Sequence, residues 1–225
     1  PFATEHFITP MAAVAGAVAE EILGAMVQSA VLTRAYVNNG GDIALHLQGG
    51  ERFTVGLIDR PDARGLMRTT IIGSGDPSRG IATSGRHGRS FSLGIADAVT
   101  VLAPSASQAD AAATIIANAV DLPEHPAVSR CPAHDLQPDS DLGARLVTRD
   151  VAALSDREIA EALAAGAACA RYLAAKGLID GAALRLPGET AVVALKDLDA
   201  AAPGPSKGWY MPDSWSQVSE KGGTR

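Results

Sequence analysis

Residues 79–121 read RGIATSGRHGRSFSLGIADAVTVLAPSASQADAAATIIANAVD, and this stretch decides the fold. Gly80, Ile81 and Ala82 lead into a Thr83-Ser84-Gly85 turn. A basic turn with Arg86, His87 and Arg89 follows, then an apolar strand over 98–103 that Pro104 and Ser105 end. The chain then runs through Ala and Ile to Asp121 with no Gly or Pro, which predicts a helix over about 106–120. Ser105 or Ser107 can accept from the N–H groups that the first turn leaves free. Asp110 near the start suits the positive end of the helix dipole. Asp110 and Thr114 stand four residues apart, so their oxygens stack on adjacent turns of one face. Such a carboxylate and hydroxyl can hold a hard cation such as Mg²⁺. Equally, the pair can be a helix-start charge and a hydroxyl bonded back to a carbonyl.

Working outward toward the N-terminus, Thr9 and Pro10 make a helix start, and the helix should run over 11–28. Met11, Val14, Val18, Ile22 and Met26 recur at helical spacing and are expected to form its buried stripe. Gly16 and the alanines leave that helix smooth enough to lie close to a sheet or a ligand. Glu20 and Glu21 read as solvent-side charges. A strand over 31–37 ends in Asn38-Asn39-Gly40-Gly41-Asp42, and a second strand follows over 43–47. Asn-Gly and Gly-Asp steps between strands read as a hairpin. Five consecutive turn-formers also make a concave loop whose N–H groups can bind an anion, with Asp42 accepting from ribose hydroxyls. Gly49-Gly50 should make another hairpin into a strand over 52–58, a polar connection fills 60–65, and a further strand spans 66–72.

On the C-terminal side, 122–141 is rich in Pro, His and Asp and reads as a loop or short edge strand, with His125 and His134 in no metal-binding pattern. A strand is expected at 145–148. An amphipathic helix follows over 155–176, where Ser155 and Glu158 form a capping box. A closing hairpin turns around Pro187-Gly188. The organisation predicted is one domain over 1–198 and an extended tail over 199–225, whose Trp209, Tyr210 and Trp215 can dock on the body or on a second copy. The fold class is α+β, a mainly antiparallel sheet packed against helices.

Composition bounds the function. Net charge is −6, which argues against a nucleic-acid or anionic-membrane surface. Cys131 and Cys169 form no CxxC pair, so neither a zinc knuckle nor a disulfide scaffold is expected and a reducing, cytoplasmic setting fits. No apolar run is expected to reach the roughly 18 residues of a membrane span. The chain begins at Pro1 rather than Met, which leaves a removed leader or an upstream segment open. A small-molecule ligand is the expected partner, with a homo-oligomer as an option.

Three elements in order carry a resemblance: a strand into NNGGD at 38–42, a strand into IATSG at 81–85, and a VTV strand into the ADAAAT helix at 109–114. Over about residues 11–121 the chain resembles the ApbE family, the FAD:protein FMN transferases, most closely its bacterial and archaeal branch. The resemblance implies a fold of T-fold type. It implies that Asn39, Gly40, Gly41 and Asp42, with Thr83, Ser84 and Gly85, line a site for FAD or FMN. It also implies that Asp110 and Thr114 hold Mg²⁺ against a pyrophosphate, where the cation acts as a Lewis acid. The sequence departs from the family at two places. Where the family has a Lys-Gly pair and then an Asp, this chain has Ala15, Gly16 and Glu20. Where it has His-x-x-Asp-Pro, this chain has Ser90, Leu93 and Gly94. A leucine can neither take a proton nor bind a metal. Two readings follow. In the first, the protein is an enzyme acting by phosphoryl transfer or hydrolysis, with Arg86, His87, Arg89 and Ser90 as candidate catalytic residues and His87 as acid or base. In the second, it is a binding module that keeps the flavin site without the chemistry. The basic turn can also be a solvated surface loop.

Overall fold

The structure, a computed structural model, describes residues 1–56 and 69–195 and the backbone of 57–58, 66–68 and 199–200. The expected polar connection at 60–65 and the tail beyond Ala200, with Trp209, Tyr210 and Trp215, lie outside the described residues. The elements in order are α1 (Val14–Ser29), β1 (Arg34–Asn39), β2 (Asp42–Leu47), β3 (Arg52–Ile58), β4 (Leu66–Gly73), β5 (Gly80–Ser84), β6 (Ala98–Ala103), α2 (Ala106–Ala119), β7 (Val128–Pro132), α3 (Ala133–Leu136), β8 (Leu146–Val151), α4 (Asp156–Ala175), β9 (Gly181–Leu186), β10 (Glu189–Val193) and β11 (Asp199–Ala200).

Six strands form the main sheet in the order β1-β2-β5-β6-β9-β10, and every neighbouring pair is antiparallel. Helices cover one face: α1 lies on β1 and β2, α2 on β5 and β6, and α4 on β9 and β10. Strand alternation explains the layers. Val99, Val101 and Ala103 point toward α2 and join Ile115, Ile116, Leu163 and Leu173 in the principal core. On the opposite face Leu45, Leu47, Ile81 and Leu102 meet Ile72, Phe53 and Val55 of a three-stranded sheet, β11-β4-β3. This is the expected α+β architecture with antiparallel sheets packed against helices.

Several local expectations are refined. Gly49 and Gly50 do not close a hairpin; β2 and β3 belong to different sheets, and the turn carries the chain from one to the other. Gly40 and Gly41, at φ 73° and 118°, form a two-residue turn with Asn39 paired to Asp42, so the hairpin reading of 38–42 holds. The Ser105 cap accepts from the Gln108 N–H, and the Ser155/Glu158 capping box is complete. Asp199 and Ala200, expected to open a tail, pair with Thr69 and Arg68 of β4.

The largest correction concerns α1. Its buried residues are Gly16, Ala19 and Leu23, while Met11, Val14, Val18, Ile22 and Met26 face outward and are exposed. A glycine explains the choice of face. A Cβ at Gly16 would sit 2.3 Å from the Ala106 carbonyl oxygen, so only the smooth side of α1 can reach the start of α2. Thr9 makes no cap; its hydroxyl donates to Asp141 instead. The stretch Pro10–Ser29 is also long and apolar enough to cross a membrane, contrary to expectation. Its inner side is nevertheless committed to β1, β2 and α2 of the folded body.

Candidate functional site

The two helices that meet at Gly16 cap one another. The Gly16 N–H donates to Asp110 Oδ2 at 3.0 Å, so a carboxyl from α2 serves the first turn of α1, whose own N-cap, Ala13, has no side chain to offer. In return, the Ser107 N–H donates to Glu20 Oε1 at 2.8 Å, and the Ser107 hydroxyl lies 3.2 and 3.1 Å from the two Glu20 oxygens. Glu20 is therefore not a solvent-side charge; it caps α2. Asp110 is not a first-turn charge of its own helix either. It faces α1, and Thr114 lies one turn further along α2, half-buried.

This junction adjoins the end of the main sheet. Asn39 Nδ2 donates to the Ala15 carbonyl at 3.1 Å, which ties the β1–β2 turn to α1. Asp42, at the start of β2, is close enough to Asp110 for the two charges to interact and takes a hydrogen bond from the Thr83 backbone. The Arg89 guanidinium lies over Gly40: its Nη2 is 1.6 Å from where a Cβ would be, so any side chain at 40 would displace it. The glycine-rich turn, the strand end at Thr83, the side chain of Arg89 and the Asp110 face of α2 thus come together. Ser84 is half-buried beside them and Ser90 is exposed on the following bend.

The electrostatics of this cluster are unbalanced. Burial pushes Asp42 up to about 7; the charge of Asp110 adds to that, and the Thr83 backbone and Arg89 only partly oppose it. Burial likewise raises Asp110 to about 6, against the pull of the Gly16 and Ala15 backbone groups. Two carboxyls that resist ionisation because of burial, Asp42 also because of the charge of Asp110, would both be relieved by a cation placed between them. With Thr114 nearby in sequence they make an all-oxygen set, which suits Mg²⁺ rather than a softer metal. Among the described residues no group of three His, Cys, Asp or Glu side chains is gathered for a metal. Any cation here would therefore need backbone, water or ligand oxygens as well.

The rest of the basic turn is engaged elsewhere. Arg86 donates to Asp97 Oδ1 through Nε at 2.9 Å and Nη2 at 2.8 Å, and His87 Nε2 lies 3.1 Å from the same oxygen. Asp97 is buried, and Gly85 turns tightly against its backbone, 2.5 Å from a virtual Cβ to the Asp97 oxygen. Arg89 is thus the basic group of the turn beside the carboxyl pair, while Arg86 is held by Asp97. Sequence reading missed Asp97, because a carboxylate at the start of an apolar strand gives no sign of the turn it faces. Leu93 is half-buried, and its N–H donates to Asn118 Oδ1 at 2.9 Å.

An antiparallel α+β body whose glycine-rich loops close on a half-buried carboxyl pair is the class of protein these features define. Residues 1–192 match the model of the family described as AbpE bacteria, and the chain belongs to that family. It is similar to a UPF0280 protein of Methanothermobacter thermautotrophicus, 39% identical over 118 residues that cover 52% of this chain and 44% of the relative. UPF0280 proteins of Methanococcoides burtonii and Methanopyrus kandleri are 40% identical over 124 residues and 41% identical over 118 residues. Those matches cover 51% and 52% of this chain, and 47% and 45% of the relatives. The chain spans about half the length of the curated relatives it matches. The match bears out the ApbE-like family expected from the order of the three motifs.

Proposed function

We propose that the loops at 38–42 and 83–89 and the Asp110 face of α2 bind a flavin nucleotide or a similar anionic small molecule together with Mg²⁺. The observation that carries the reading is the half-buried Asp42/Asp110 pair, with carboxyls raised to about 7 and 6, next to an arginine laid over a glycine turn. Asp42, Asp110 and Thr114 would hold the cation. Arg89 would take a phosphate oxygen by a charge-assisted hydrogen bond. Gly41, with nothing within 4 Å of its Cβ position, leaves the backbone of the turn open beside the Arg89 guanidinium that covers Gly40. Bound there, Mg²⁺ would supply Lewis-acid stabilisation of charge on a phosphoanhydride. Asp97 orients His87, and with Nε2–H donating to that carboxylate the Nδ1 atom is left to accept a proton. The chemistry that fits is phosphoryl transfer or hydrolysis: water adds at phosphorus, the anhydride bond of FAD breaks, and FMN and AMP leave.

A second reading, a binding module without chemistry, is favoured by one observation: Leu93 stands where the family carries its acid, and no carboxylate replaces it at that position. Incubation of the protein with FAD and Mg²⁺, followed by chromatography of the nucleotides and by calorimetry, separates the two. Release of FMN and AMP supports the enzyme. Mg²⁺-dependent binding without product supports the module. Absence of binding by FAD, FMN and ADP, with and without Mg²⁺, overturns both.

A further inference from the structure

The outer side of α1 is an apolar surface that the fold leaves uncovered. Met11 is 62% exposed and Ile22 47%, and Val14, Val18 and Met26 are about as open as Ile22. Val14, Val18, Ile22 and Met26 are spaced four apart and form one continuous ridge along the helix. Beside it runs a second row at the same spacing, Ala17, Glu21 and Ala25, also exposed and two-thirds alanine. A row of large side chains next to a row of small ones is a shape that complements itself. Turned end for end, the ridge of one helix fits the alanine row of an identical helix, and its alanine row receives the other's ridge.

We infer that α1 is the interface of a homodimer with twofold symmetry, its two copies crossing antiparallel near Val18 and Glu21. Charge excludes the main competitor, an anionic lipid surface. The chain carries no Lys or Arg before Arg34, and its net charge is −6, so nothing on this face attracts headgroups. Size sets the strength. A 20-residue stretch is about 30 Å long and 10–12 Å wide, so the face offers on the order of 350 Å² per copy. That is the size of the largest apolar patch on a typical monomer, a patch that is often functional. It is below the roughly 800 Å² per partner of a tight complex. The dimer therefore dissociates on dilution through the micromolar range. Glu21 of one copy approaches Glu21 of the other near the twofold axis, a like-charge contact that weakens the pair.

Light scattering behind size-exclusion chromatography of the full chain, loaded from about 1 to about 200 µM across the micromolar range, tests the inference. The wild type should pass from monomer to dimer. Val18→Asp should remain monomeric throughout, with the wild-type circular dichroism because position 18 lies outside the core. Glu21→Gln should dimerise at several-fold lower concentration. In case Val18→Asp fails to fold, Val18→Cys in a Cys131→Ser, Cys169→Ser background should give a covalent dimer with a short bis-maleimide. A wild type that stays monomeric overturns the inference, whether or not it floats with phosphatidylcholine vesicles. So does a dimer that Val18→Asp leaves intact, or a Val18→Cys variant that does not cross-link.

Discussion

Two carboxyl sites, one buried and one half-buried, flank the same turn and differ in their balance. Asp97 sits behind Gly85 with two basic partners on one oxygen, Arg86 and His87. Asp42 and Asp110, a few residues away in space from Arg89, have backbone N–H groups, one guanidinium and each other. The first site is closed: the Arg86 guanidinium matches its charge and is partly withdrawn from solvent with it. The second has a net demand for positive charge that the described residues do not supply. A closed ion pair fixes the turn; an open carboxyl pair is where a cation or a cationic edge of a ligand gains most. The basic composition of residues 86–89 does not distinguish the two, since only Arg89 of its three basic side chains reaches the open site.

The sharpest break in that contrast comes from removing Asp97. Asp97→Ala leaves the Arg86 guanidinium, with only 17% of its side chain exposed, without its partner. Destabilisation of about 3–5 kcal/mol is expected, read as a loss of about 6–20 °C in the melting temperature. A loss below about 1 kcal/mol would show that Asp97 and Arg86 interact as a surface pair.

The open site makes stability depend on pH with a definite sign. Asp42 and Asp110 have folded-state values near 7 and 6, above the 3.8 of an unperturbed Asp. Their contribution is full below pH 3.8 and is lost as pH rises through 6 and then 7. The loss between pH 5 and pH 8 should be on the order of 3 kcal/mol, at 1.36 kcal/mol per unit and with allowance for coupling of the two groups. Thermal melts across that range in a metal-free buffer measure it, and Mg²⁺ at pH 8 should recover part of it. A flat profile would mean that water or another group already balances the pair.

Gly16→Ala tests how the open site is assembled. The added Cβ would meet the Ala106 carbonyl at 2.3 Å, so α1 must withdraw from α2 and stretch the Gly16–Asp110 bond. Overpacking of this kind costs about 1–3 kcal/mol, despite the better helix propensity of alanine. Equal or higher stability, measured by urea denaturation, would show that the helices separate without strain.

Much of this arrangement was legible in the sequence. Helix α2 followed from an alanine run with a serine cap, and α4 from a complete capping box, because both signals are local. The gathering of the turn at 38–42, Thr83 and Asp110 followed from motif order. The buried side of α1 did not. Periodicity identifies a stripe of large residues, but burial went to the stripe with the least bulk, since Gly16 and Ala19 allow helix backbones to touch. The reciprocal caps were equally hidden, because Glu20–Ser107 and Gly16–Asp110 join positions 87 and 94 residues apart. Asp97 was missed for the same reason in miniature: its partners lie on a turn that the sequence reading assigned to the ligand.

The smallest expected effect separates the structural and functional roles of Asp110. Asp110→Asn keeps an oxygen that can accept from the Gly16 N–H and removes only the ionisable proton. Near pH 5 the wild-type carboxyl, with its value near 6, is mostly neutral, so the amide is close to its isostere and the melting temperature should change by roughly a degree or less, within a net hydrogen-bond difference of a few tenths of a kcal/mol. At pH 8 the wild type carries charge that burial penalises, and the variant does not. Removing it also relieves Asp42, whose rise owes its second-largest part to Asp110. The variant should therefore be the more stable protein at pH 8, by about 1–2 kcal/mol, if roughly one unit of pKa shift is relieved. It should also lose any stabilisation by Mg²⁺ with FAD or ADP. A residue kept only to cap α1 would show the reverse: a loss at both pH values and an unchanged response to cation and nucleotide. Paired melts of the two proteins at pH 5 and pH 8, with and without Mg²⁺ and nucleotide, distinguish these outcomes by sign alone.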